Sequence, residues 1–427
     1  MNHYELPTPE LLDSGHVNLS VSAEEVEQKK NVILHVFEDL GIEIFDVKET
    51  VGPSSIFYEL SLPIVNDWEK AKKKYSKIFL YIDGCRADIT VHDPREQVIT
   101  VEVSRKEKES FSIRSAIESK AFQEGDAILP VVLGKTNMNE ILVTDLVKCP
   151  HLLIAGDKDN GQKTLLDTIM LSLLYKKKPD ELKFVFIAKP EVISDCYQKI
   201  QECFCAKLPG VYRSVITNCD TAIRTLDALC EEMDKRYDIL YKSKMRSIEE
   251  YNRKIQNQEL KFPVYPLPYI VVFIEEFGDL MLIYGKRFEL SLCRLAQLSR
   301  AVGIHVVMAS IRTDIITGTI KANFPARVAF PVCSTVASKV VIDSKEAKKL
   351  TDYGDMFCRV KGILERARIF SVEHREIEKV ADYIYQQGTY EPYLLPEPTM
   401  IEEEGEEKDD ELFDEATEII MRNLWKK

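Results

Sequence analysis

The feature that most constrains the fold is the segment His151–Thr164, which has the layout of a phosphate-binding loop. It reads as an apolar strand, then a turn bounded by glycines, then the start of a helix. In the motif G-x-x-x-x-G-K-[ST], backbone N–H groups surround the phosphates, the Lys reaches the β- and γ-phosphates, and the Ser or Thr holds Mg²⁺. A strand, loop and helix in this order predict an α/β domain built on a parallel sheet.

The residues that would hold the phosphates are altered in this segment. Gly156 and Gly161 keep the spacing of the motif, but Gln162 stands at the Lys position and Lys163 at the Ser/Thr position. An alignment shifted by one residue gives a Lys-Thr pair, but it replaces both glycines, with Asp157 and Gln162. Either alignment predicts a degenerate site. The candidate nucleotide-binding residues are Gly156, Asp157, Lys158, Asp159, Asn160, Gly161, Gln162, Lys163 and Thr164.

The candidate catalytic residues lie in 268–279, a buried strand that ends in two adjacent carboxylates. In nucleotide-hydrolysing α/β domains this position carries an Asp for Mg²⁺, followed by a Glu that polarises the attacking water. Here the pair is Glu275 and Glu276. Glu276 suits water activation, whereas the extra methylene of Glu275 displaces its carboxylate by about 1 Å, a misplacement that costs rate. Two surface acids at a strand end are the alternative interpretation.

The composition of the chain limits which partners and which cellular location can be expected. The net charge of −13 argues against simple electrostatic binding of nucleic acid, but residues 397–427 hold 12 acids and 4 bases, which leaves −5 for the rest. A local basic patch is therefore compatible with the charge. The ten cysteines form no C-x-x-C pair and predict free thiols in the cytoplasm, with no metal site. We expect no membrane span, because no apolar run approaches the length of about 18–20 residues.

The pattern along the chain predicts a small α+β domain at 1–123, an α/β domain at 124–389, and an acidic linker with a final helix (412–425) at 390–427. In the first domain, Ser22 and Glu25 form a capping box for a helix that ends near Leu40. A second helix is predicted at 67–75, with strands at 42–47, 56–62, 78–82 and 98–103. The second domain has predicted strands at 152–155, 184–187, 270–274, 305–309 and 327–330, and helices at 165–175, 221–241 and 288–301.

Short motifs spread over almost the whole chain resemble those of the FtsK/SpoIIIE DNA translocase motor, in the same order. They include LPTPELLD at 6–13, GPSSIFYEL at 52–60, KCPHLLIAG at 148–156, IEEFGDLM at 274–281, RAVGIH at 300–305, ITGTIKANFPAR at 316–327 and GDM at 354–356. The resemblance implies a small α domain followed by a RecA-like P-loop NTPase core.

The departures from the family pattern cluster at the nucleotide. Besides Gln162, Lys163 and Glu275, the polar sensor Gln of the family corresponds to Ile311, and an Asp after the next strand corresponds to Ala188. An apolar Ile311 cannot hold a water or report on the γ-phosphate. We therefore interpret the chain as a homologue that keeps the fold while its hydrolysis is impaired.

The resemblance also implies partners and a cofactor. Double-stranded DNA is the expected partner, in a homo-oligomer or a ring shared with an intact translocase, and ATP with Mg²⁺ is the family's cofactor. The predicted role is a DNA-associated or ring-forming subunit in chromosome partition, with plasmid transfer as the second process. The alternative is an active ATP-driven hexameric translocase in which Lys158 or Lys163 replaces the missing Lys.

By analogy with the family, Arg312 and Lys321 would contact DNA phosphates in the channel. Arg300, Arg312 and Arg327 are candidates for reaching a neighbouring subunit's nucleotide, and ordinary surface or strand-end arginines are the alternative. The family's membrane domain has no counterpart here, and its DNA-reading γ domain has only a short one. We therefore expect neither membrane anchoring nor recognition of oriented sequences by this chain.

Overall fold

The computed structural model describes residues 4–15, 21–39, 41–62, 80–82, 85–91, 98–106, 108–188, 198–259, 265–388, 390 and 392–398. The predicted helices at 67–75 and 412–425 lie outside these residues.

An N-terminal module is formed by helix α1 (Ala23–Asp39) and a five-stranded antiparallel sheet of order β1-β2-β5-β4-β3. The helix begins as predicted, since the Ser22 hydroxyl accepts the N–H of Glu25 at 3.1 Å. Its Ile33 and Phe37 pack on the apolar face of the sheet, around Tyr58. The strands are β1 (Asp46–Val51), β2 (Ser55–Ser61), β3 (Leu80–Ile82), β4 (Cys85–Val91) and β5 (Val98–Ser104).

The strand predicted at 42–47 is misplaced. The structure has β1 at Asp46–Val51, and Ile42 and Ile44 instead border the apolar cluster in the turn after α1. The segment 46–51 is polar and largely exposed because it is an edge strand of the sheet. The alternation of apolar and polar residues is therefore weaker in this strand than in the segment before it, which contains Ile42 and Ile44.

The larger unit is a ten-stranded sheet of order β11-β9-β12-β13-β8-β14-β15-β16-β6-β7. The first six strands in this order run parallel. Each predicted strand of the α/β domain overlaps one of them, and the strand predicted at 327–330 extends one residue beyond β14. The strands are β6 (Pro130–Thr136), β7 (Ile141–Asp145), β8 (His151–Ala155), β9 (Leu182–Ile187), β11 (Val215–Ile216), β12 (Tyr269–Glu275), β13 (Ile304–Ser310), β14 (Ala326–Ala329), β15 (Asp355–Val360) and β16 (Ile363–Arg368). A separate pair joins β10 (Ala206–Lys207) and β17 (Tyr393–Leu394).

Helices cover both faces of this sheet, over two large apolar clusters. They are α2 (Ile113–Ile117), α3 (Lys120–Gln123), α4 (Gln162–Leu174), α5 (Gln201–Phe204), α6 (Cys219–Lys242), α7 (Ile248–Gln256), α8 (Gly278–Leu298), α9 (Gly318–Asn323), α10 (Thr335–Ile342) and α11 (His374–Gln386). The predicted α/β class with a preceding α+β module is thus confirmed. The antiparallel extension β15-β16-β6-β7 was not predicted.

The predicted domain boundaries remain a prediction. Apolar side chains from Phe111 to Phe122 pack within the cluster of the large sheet, as do Tyr4 and Leu12 near the N-terminus. Among the described residues, those of the apolar cluster of the N-terminal module lie between Val21 and Val103.

Candidate nucleotide site

The loop of residues 156–161 joins β8 to α4 at the carboxyl edge of the parallel strands. A Cβ added to Gly156 would lie 2.5 Å from the Cβ of Phe330, so no side chain fits there. Gly161 has a φ of +117° and precedes the helix, and a Cβ on it would lie 2.8 Å from Cδ1 of Ile369. The geometry therefore favours the alignment that places Gln162 at the Lys position, since both motif glycines are sterically required.

The side chain of Gln162 folds back over the loop and is 7% exposed. Its Nε2 donates to the carbonyl of Asp157 at 2.8 Å, and its Oε1 accepts the N–H of Asn160 at 3.2 Å. The Asn160 side chain also donates to the Asp157 carbonyl, at 2.9 Å. The Asp157 carbonyl and the Asn160 N–H are thus bonded within the loop, so one of the N–H groups of a phosphate cradle is already occupied by a side chain.

Lys163 lies at the position where the motif has a Ser or Thr oxygen for Mg²⁺. Its Nζ is 3.6 Å from Oδ2 of Asp167, one turn further along α4. Burial raises the pKa of Glu275 to about 7, the positive charge of Lys163 opposes this rise, and Asp167 and Glu276 add to it. The ammonium therefore lies near Asp167 and acts on the charge of Glu275 at the end of β12.

Glu276 links the ends of two neighbouring strands. Its backbone is left-handed, with a φ of +54°, and its carboxylate accepts the N–H of Ile311 at 3.2 and 3.4 Å. Ile311 follows β13, which lies between β8 and β12 in the sheet, and its side chain is 38% exposed. The site thus brings the predicted carboxylate and the predicted sensor position together through a backbone hydrogen bond.

A cleft of about 370 Å³ opens beside these acids, at the carboxyl ends of β9, β11 and β12. Its lining includes the acids Glu275, Glu276 and Asp279, together with Ala188 and Asn218. Asn218 caps α6, since its side chain accepts two backbone N–H groups of that helix. The cleft is a feature that sequence reasoning missed, although it contains the predicted Ala188.

The donor set differs from that of a Mg²⁺–nucleotide site. An ammonium at 163 cannot ligate a divalent cation, and an amide at 162 carries no charge for the phosphates. Across the described ranges, the His, Cys, Asp and Glu side chains form no cluster of three that could hold a metal ion. The residues present at positions 162 and 163 therefore do not fit a nucleoside triphosphate with Mg²⁺ as the intact motif does.

Comparison with known proteins decides the family. The FtsK/SpoIIIE family model matches residues 112–314. The DNA translocase FtsK of Chlorobaculum tepidum is 32% identical over 92% of this chain and 50% of its own length. The DNA translocase SpoIIIE of Bacillus subtilis is 32% identical over 98% of this chain and 53% of its own. The chain belongs to the FtsK/SpoIIIE family. It spans about half the length of the curated relatives that it matches.

Solved structures agree on the fold of this FtsK/SpoIIIE family member. The pCW3 conjugation coupling protein TcpA, in a monomer form with ATPγS, gives a TM-score of 0.57 at 21% identity, over 84% of this chain and 99% of its own. The type VII secretion ATPase EccC of Thermomonospora curvata gives 0.52 at 21% identity, over 68% and 35%. In the described residues, no helix is both long and apolar enough to cross a membrane.

The arginines that the family resemblance suggested for subunit contacts differ in their surroundings. Arg300 is exposed in the 3₁₀ turn after α8. The side chain of Arg327 is 11% exposed and donates to Oδ2 of Asp343 at 2.7 Å, within the same chain. Arg312, the third candidate, is 44% exposed and pairs with Asp314, so Arg300 and Arg312 are more accessible than Arg327.

The two residues predicted to contact DNA each face an acid. Arg312 donates through Nε and Nη2 to the Asp314 carboxylate, at 3.2 and 2.6 Å. Lys321 pairs with Oδ1 of Asp343 at 2.6 Å and donates to a backbone carbonyl of α10. Both side chains lie in the segment between β13 and β14 and are partly exposed, at 44% and 25%.

The motif at 354–356 and the tyrosine before it form hydrogen bonds with the loop and with the first turn of α4. The N–H of Gly354 donates to the carbonyl of Asn160 at 3.0 Å, and the Tyr353 hydroxyl lies 2.8 Å from the Thr164 hydroxyl. Thr164 is thus engaged with a tyrosine at the start of α4. This contact between two distant parts of the sequence gave no signal in the sequence.

Asp355, the next residue, lies in the seam between the N-terminal module and the large sheet and is fully buried. Its carboxylate accepts the Ser54 hydroxyl at 2.8 Å, Arg366 at 3.0 Å and Arg368 at 2.6 Å. Burial acts to raise the pKa of Asp355, but the adjacent positive charges outweigh it and the pKa lies below its ordinary value. Arg366 also pairs with Glu102 of β5, so the seam is an ionic network.

Proposed function

We propose that this chain is a DNA-associated, ring-forming subunit of an FtsK/SpoIIIE-type DNA-transport system whose own nucleotide site hydrolyses ATP poorly or not at all. It would act on double-stranded DNA in the cytoplasm, in a homo-oligomer or in a ring with an intact translocase. Chromosome partition is the proposed process, with plasmid transfer as the second. Family membership supports the DNA partner, because the curated relatives are named DNA translocases.

One observation carries the proposal of impaired hydrolysis: the Gln162 amide lies where a phosphate-binding Lys is needed. It bonds the carbonyl of Asp157 and the N–H of Asn160. A triphosphate entering this loop would have to displace these hydrogen bonds, and it would gain no positive charge from residue 162 in return. Charge-assisted hydrogen bonds are about twice as strong as neutral ones, so the exchange is unfavourable relative to an intact loop.

The alternative function is an active hexameric translocase with a non-standard loop, in which Lys158 or Lys163 grips the phosphates. Lys158 is exposed on the loop, which supports this possibility. Lys163 is drawn towards Asp167 and the end of β12, away from the interior of the loop that Gln162 fills. The observations therefore favour the degenerate site over the active one.

The test is calorimetric titration of the full chain with ATP and Mg²⁺, with and without duplex DNA. We expect no binding up to millimolar ATP. The triple substitution Gln162→Lys, Lys163→Thr and Glu275→Asp restores the motif residues and should bring micromolar binding and DNA-stimulated hydrolysis.

Glu275→Asp alone is the matched control, because it restores the acid of β12 but leaves the loop degenerate. It should bind no better than the natural chain. Micromolar ATP binding by the natural chain, followed by DNA-stimulated hydrolysis, would establish the alternative function and refute the degenerate one.

A further inference from the structure

Three cationic side chains meet at one carboxylate beside strands β14 and β15. Oδ1 of Asp343 lies 2.6 Å from Nζ of Lys321. Its Oδ2 lies 2.7 Å from Nη2 of Arg327 and 3.7 Å from Nε of Arg359. Within the described ranges, none of the three cations pairs with a second carboxylate. These four residues are called the cation cluster below, and they carry more positive than negative charge.

The register of the sheet places two of these positive charges side by side. Arg327 of β14 and Arg359 of β15 are direct partners on neighbouring antiparallel strands. Like charges directly opposite one another destabilise a strand pair. The Arg359 guanidinium also donates to the carbonyl of Ile342 at 3.2 Å, which fixes it near the end of α10. The fold thus brings two arginines together and provides them with one shared carboxylate oxygen, Oδ2 of Asp343.

The guanidinium of Arg327 is only partly satisfied by this carboxylate. The residue is 9% exposed, and among the residues that the structure describes its Nε has no hydrogen-bond partner. Burial lowers the pKa of Arg327 and the charge of Arg359 lowers it further, while Asp343 offsets only part of this. A tetrahedral oxyanion offers more acceptor oxygens and more negative charge than the single carboxylate that the guanidinium contacts here.

Asp343 is the most exposed member of the cation cluster. Its side chain is 40% exposed, compared with 25%, 11% and 28% for the three cations. Asp343 ends α10 with a left-handed backbone, at a φ of +59°. Asn and Gly adopt this conformation readily, so the carboxylate can be removed without disturbing the backbone. An anion from solvent would compete with this carboxylate for the same cations.

The cation cluster is separate from the nucleotide loop. Arg327 lies near the amino end of β14, whereas the loop follows the carboxyl end of β8, the neighbouring parallel strand. The altered residues of the loop therefore do not decide what the cation cluster can bind.

We propose that the cation cluster binds a phosphate group, either as the free ion or as part of a nucleic-acid backbone, and that the Asp343 carboxylate takes its place when no phosphate is bound. Guanidinium groups pair with phosphate oxygens through two parallel N–H groups, which suits the two arginines. Asp343 limits the affinity for phosphate, because its negative charge repels the ligand and occupies the cations. The inference goes beyond the proposed function, since it does not depend on the nucleotide loop.

The experiment is calorimetric titration of the full chain with sodium phosphate, at an ionic strength held constant with sodium chloride. Asp343→Asn removes the competing charge while it keeps the side-chain shape and suits the backbone. It should bind phosphate at least about tenfold more tightly than the natural chain. Asp343→Gly also suits the positive φ and should gain a similar affinity, which provides the test if the Asn variant fails to fold.

Two controls isolate the cation cluster. Asp314→Asn is the matched control, because it removes a carboxylate that pairs with the single cation Arg312, and it should gain no phosphate affinity. The double variant Asp343→Asn with Arg359→Met removes one of the three cations and should lose most of the affinity gained by Asp343→Asn alone. Circular dichroism melting of each variant confirms that it is folded.

A second titration, with a short DNA duplex and fluorescence anisotropy, separates the two sources of phosphate. A parallel rise in the DNA affinity of Asp343→Asn assigns the cation cluster to a nucleic-acid backbone. A rise in phosphate affinity alone assigns it to the free ion. Both results support the phosphate site.

No gain in phosphate affinity by the folded Asp343→Asn and Asp343→Gly variants would overturn the inference. An equal gain by Asp314→Asn, or a full gain that persists in the double variant, would overturn it as well. Neither readout contains ATP, so the two proposals are tested separately. ATP hydrolysis by the natural chain would refute the proposed function and leave this inference standing.

Discussion

The side-chain nitrogen of Gln162 lies 2.8 Å from the carbonyl oxygen of Asp157, so the first residue of helix α4 closes the loop that leads into it. We expect Gln162→Ala to release the loop, because it removes this bond and the one to Asn160. The loss of two partly buried hydrogen bonds should lower the free energy of unfolding by about 1–3 kcal/mol. Hydrogen exchange at the Asn160 amide should accelerate, whereas Lys158→Ala, on the same loop, should leave it unchanged.

Gly156→Ala should destabilise the chain for a steric reason alone. The added Cβ would meet the Cβ of Phe330 at 2.5 Å, so backbone must shift, at a cost of about 1–3 kcal/mol. Gly318→Ala is the matched control, since a Cβ there meets nothing within 4 Å. Chemical denaturation of both variants checks the prediction, which equal stabilities of the two would contradict.

Asp355→Asn should weaken the seam between the N-terminal module and the large sheet. The substitution removes the carboxylate that Arg366 and Arg368 share, although Arg366 keeps its pair with Glu102. Breaking a buried ionic network in this way costs about 3–5 kcal/mol. Limited proteolysis should then cleave the seam faster, and the thermal midpoint should fall.

Asp314→Asn is the comparison for the Asp355 variant. It removes the carboxylate of an exposed ion pair with Arg312, and such pairs contribute little to stability. No change in proteolysis or in the thermal midpoint is expected. A fall in the thermal midpoint as large as that of Asp355→Asn would show that burial does not explain the contribution of the Asp355 network to stability.

Two buried histidines should make stability depend on pH. Burial lowers the pKa of His151 from 6.5 to about 3 and that of His305 to about 4, because the charged imidazole is desolvated in the core. Between pH 6.5 and 4 the unfolded chain therefore binds more protons than the folded chain. Stability should be highest above pH 6.5 and fall below it, with a slope of up to about 2.7 kcal/mol per pH unit for the pair.

Urea denaturation at several pH values measures this slope between pH 6.5 and 5. His151→Asn removes one titrating group while its amide oxygen can still accept the N–H of Val306, so the slope should halve. His35→Gln changes an exposed histidine and should leave the slope as it is. An unchanged slope in the His151 variant would mean that other groups govern the acid sensitivity.

If the segment between β13 and β14 faces DNA, then Arg312→Ala and Lys321→Ala should each weaken binding to duplex DNA equally for all sequences. Each lost phosphate contact should reduce the slope of log affinity against log salt by about 0.9. Arg253→Ala, an exposed basic residue on α7, is the control and should leave the slope unchanged. Fluorescence anisotropy at several salt concentrations gives the slopes, and identical slopes for all variants would exclude the segment.

Long apolar runs made the parallel strands predictable, since β8, β9, β12 and β13 are buried on both faces. The antiparallel extension gave a weaker signal. Strand β16 has the sequence ILERAR, and its charged side chains Arg366 and Arg368 are accommodated only because Asp355 and Glu102 neutralise them. Such pairing joins residues far apart in sequence, so no local pattern could reveal it.

The candidate site was predictable in its identities but not in its contacts. The loop, Glu275 and Glu276 follow from motif spacing. The hydrogen bond from Gln162 to the Asp157 carbonyl does not, and it forms beside Gly156, where an added Cβ would lie 3.2 Å from the Gln162 nitrogen. The pairing of Arg327 with Asp343 likewise requires β14 and the end of α10 to meet in space. Their separation along the chain gives no sign of this.

The hydrogen bond from Gly354 to Asn160 has a mechanical consequence. Gly354, which donates to the loop, is followed directly by Asp355, whose carboxylate accepts the hydroxyl of Ser54 in the N-terminal module. A displacement of the loop that is larger than one hydrogen bond can stretch must break the bond from Gly354 to Asn160 or move the Asp355 carboxylate away from Ser54. A displacement of the loop is therefore transmitted through residues 354 and 355 to the seam, and a displacement of the seam is transmitted back to the loop.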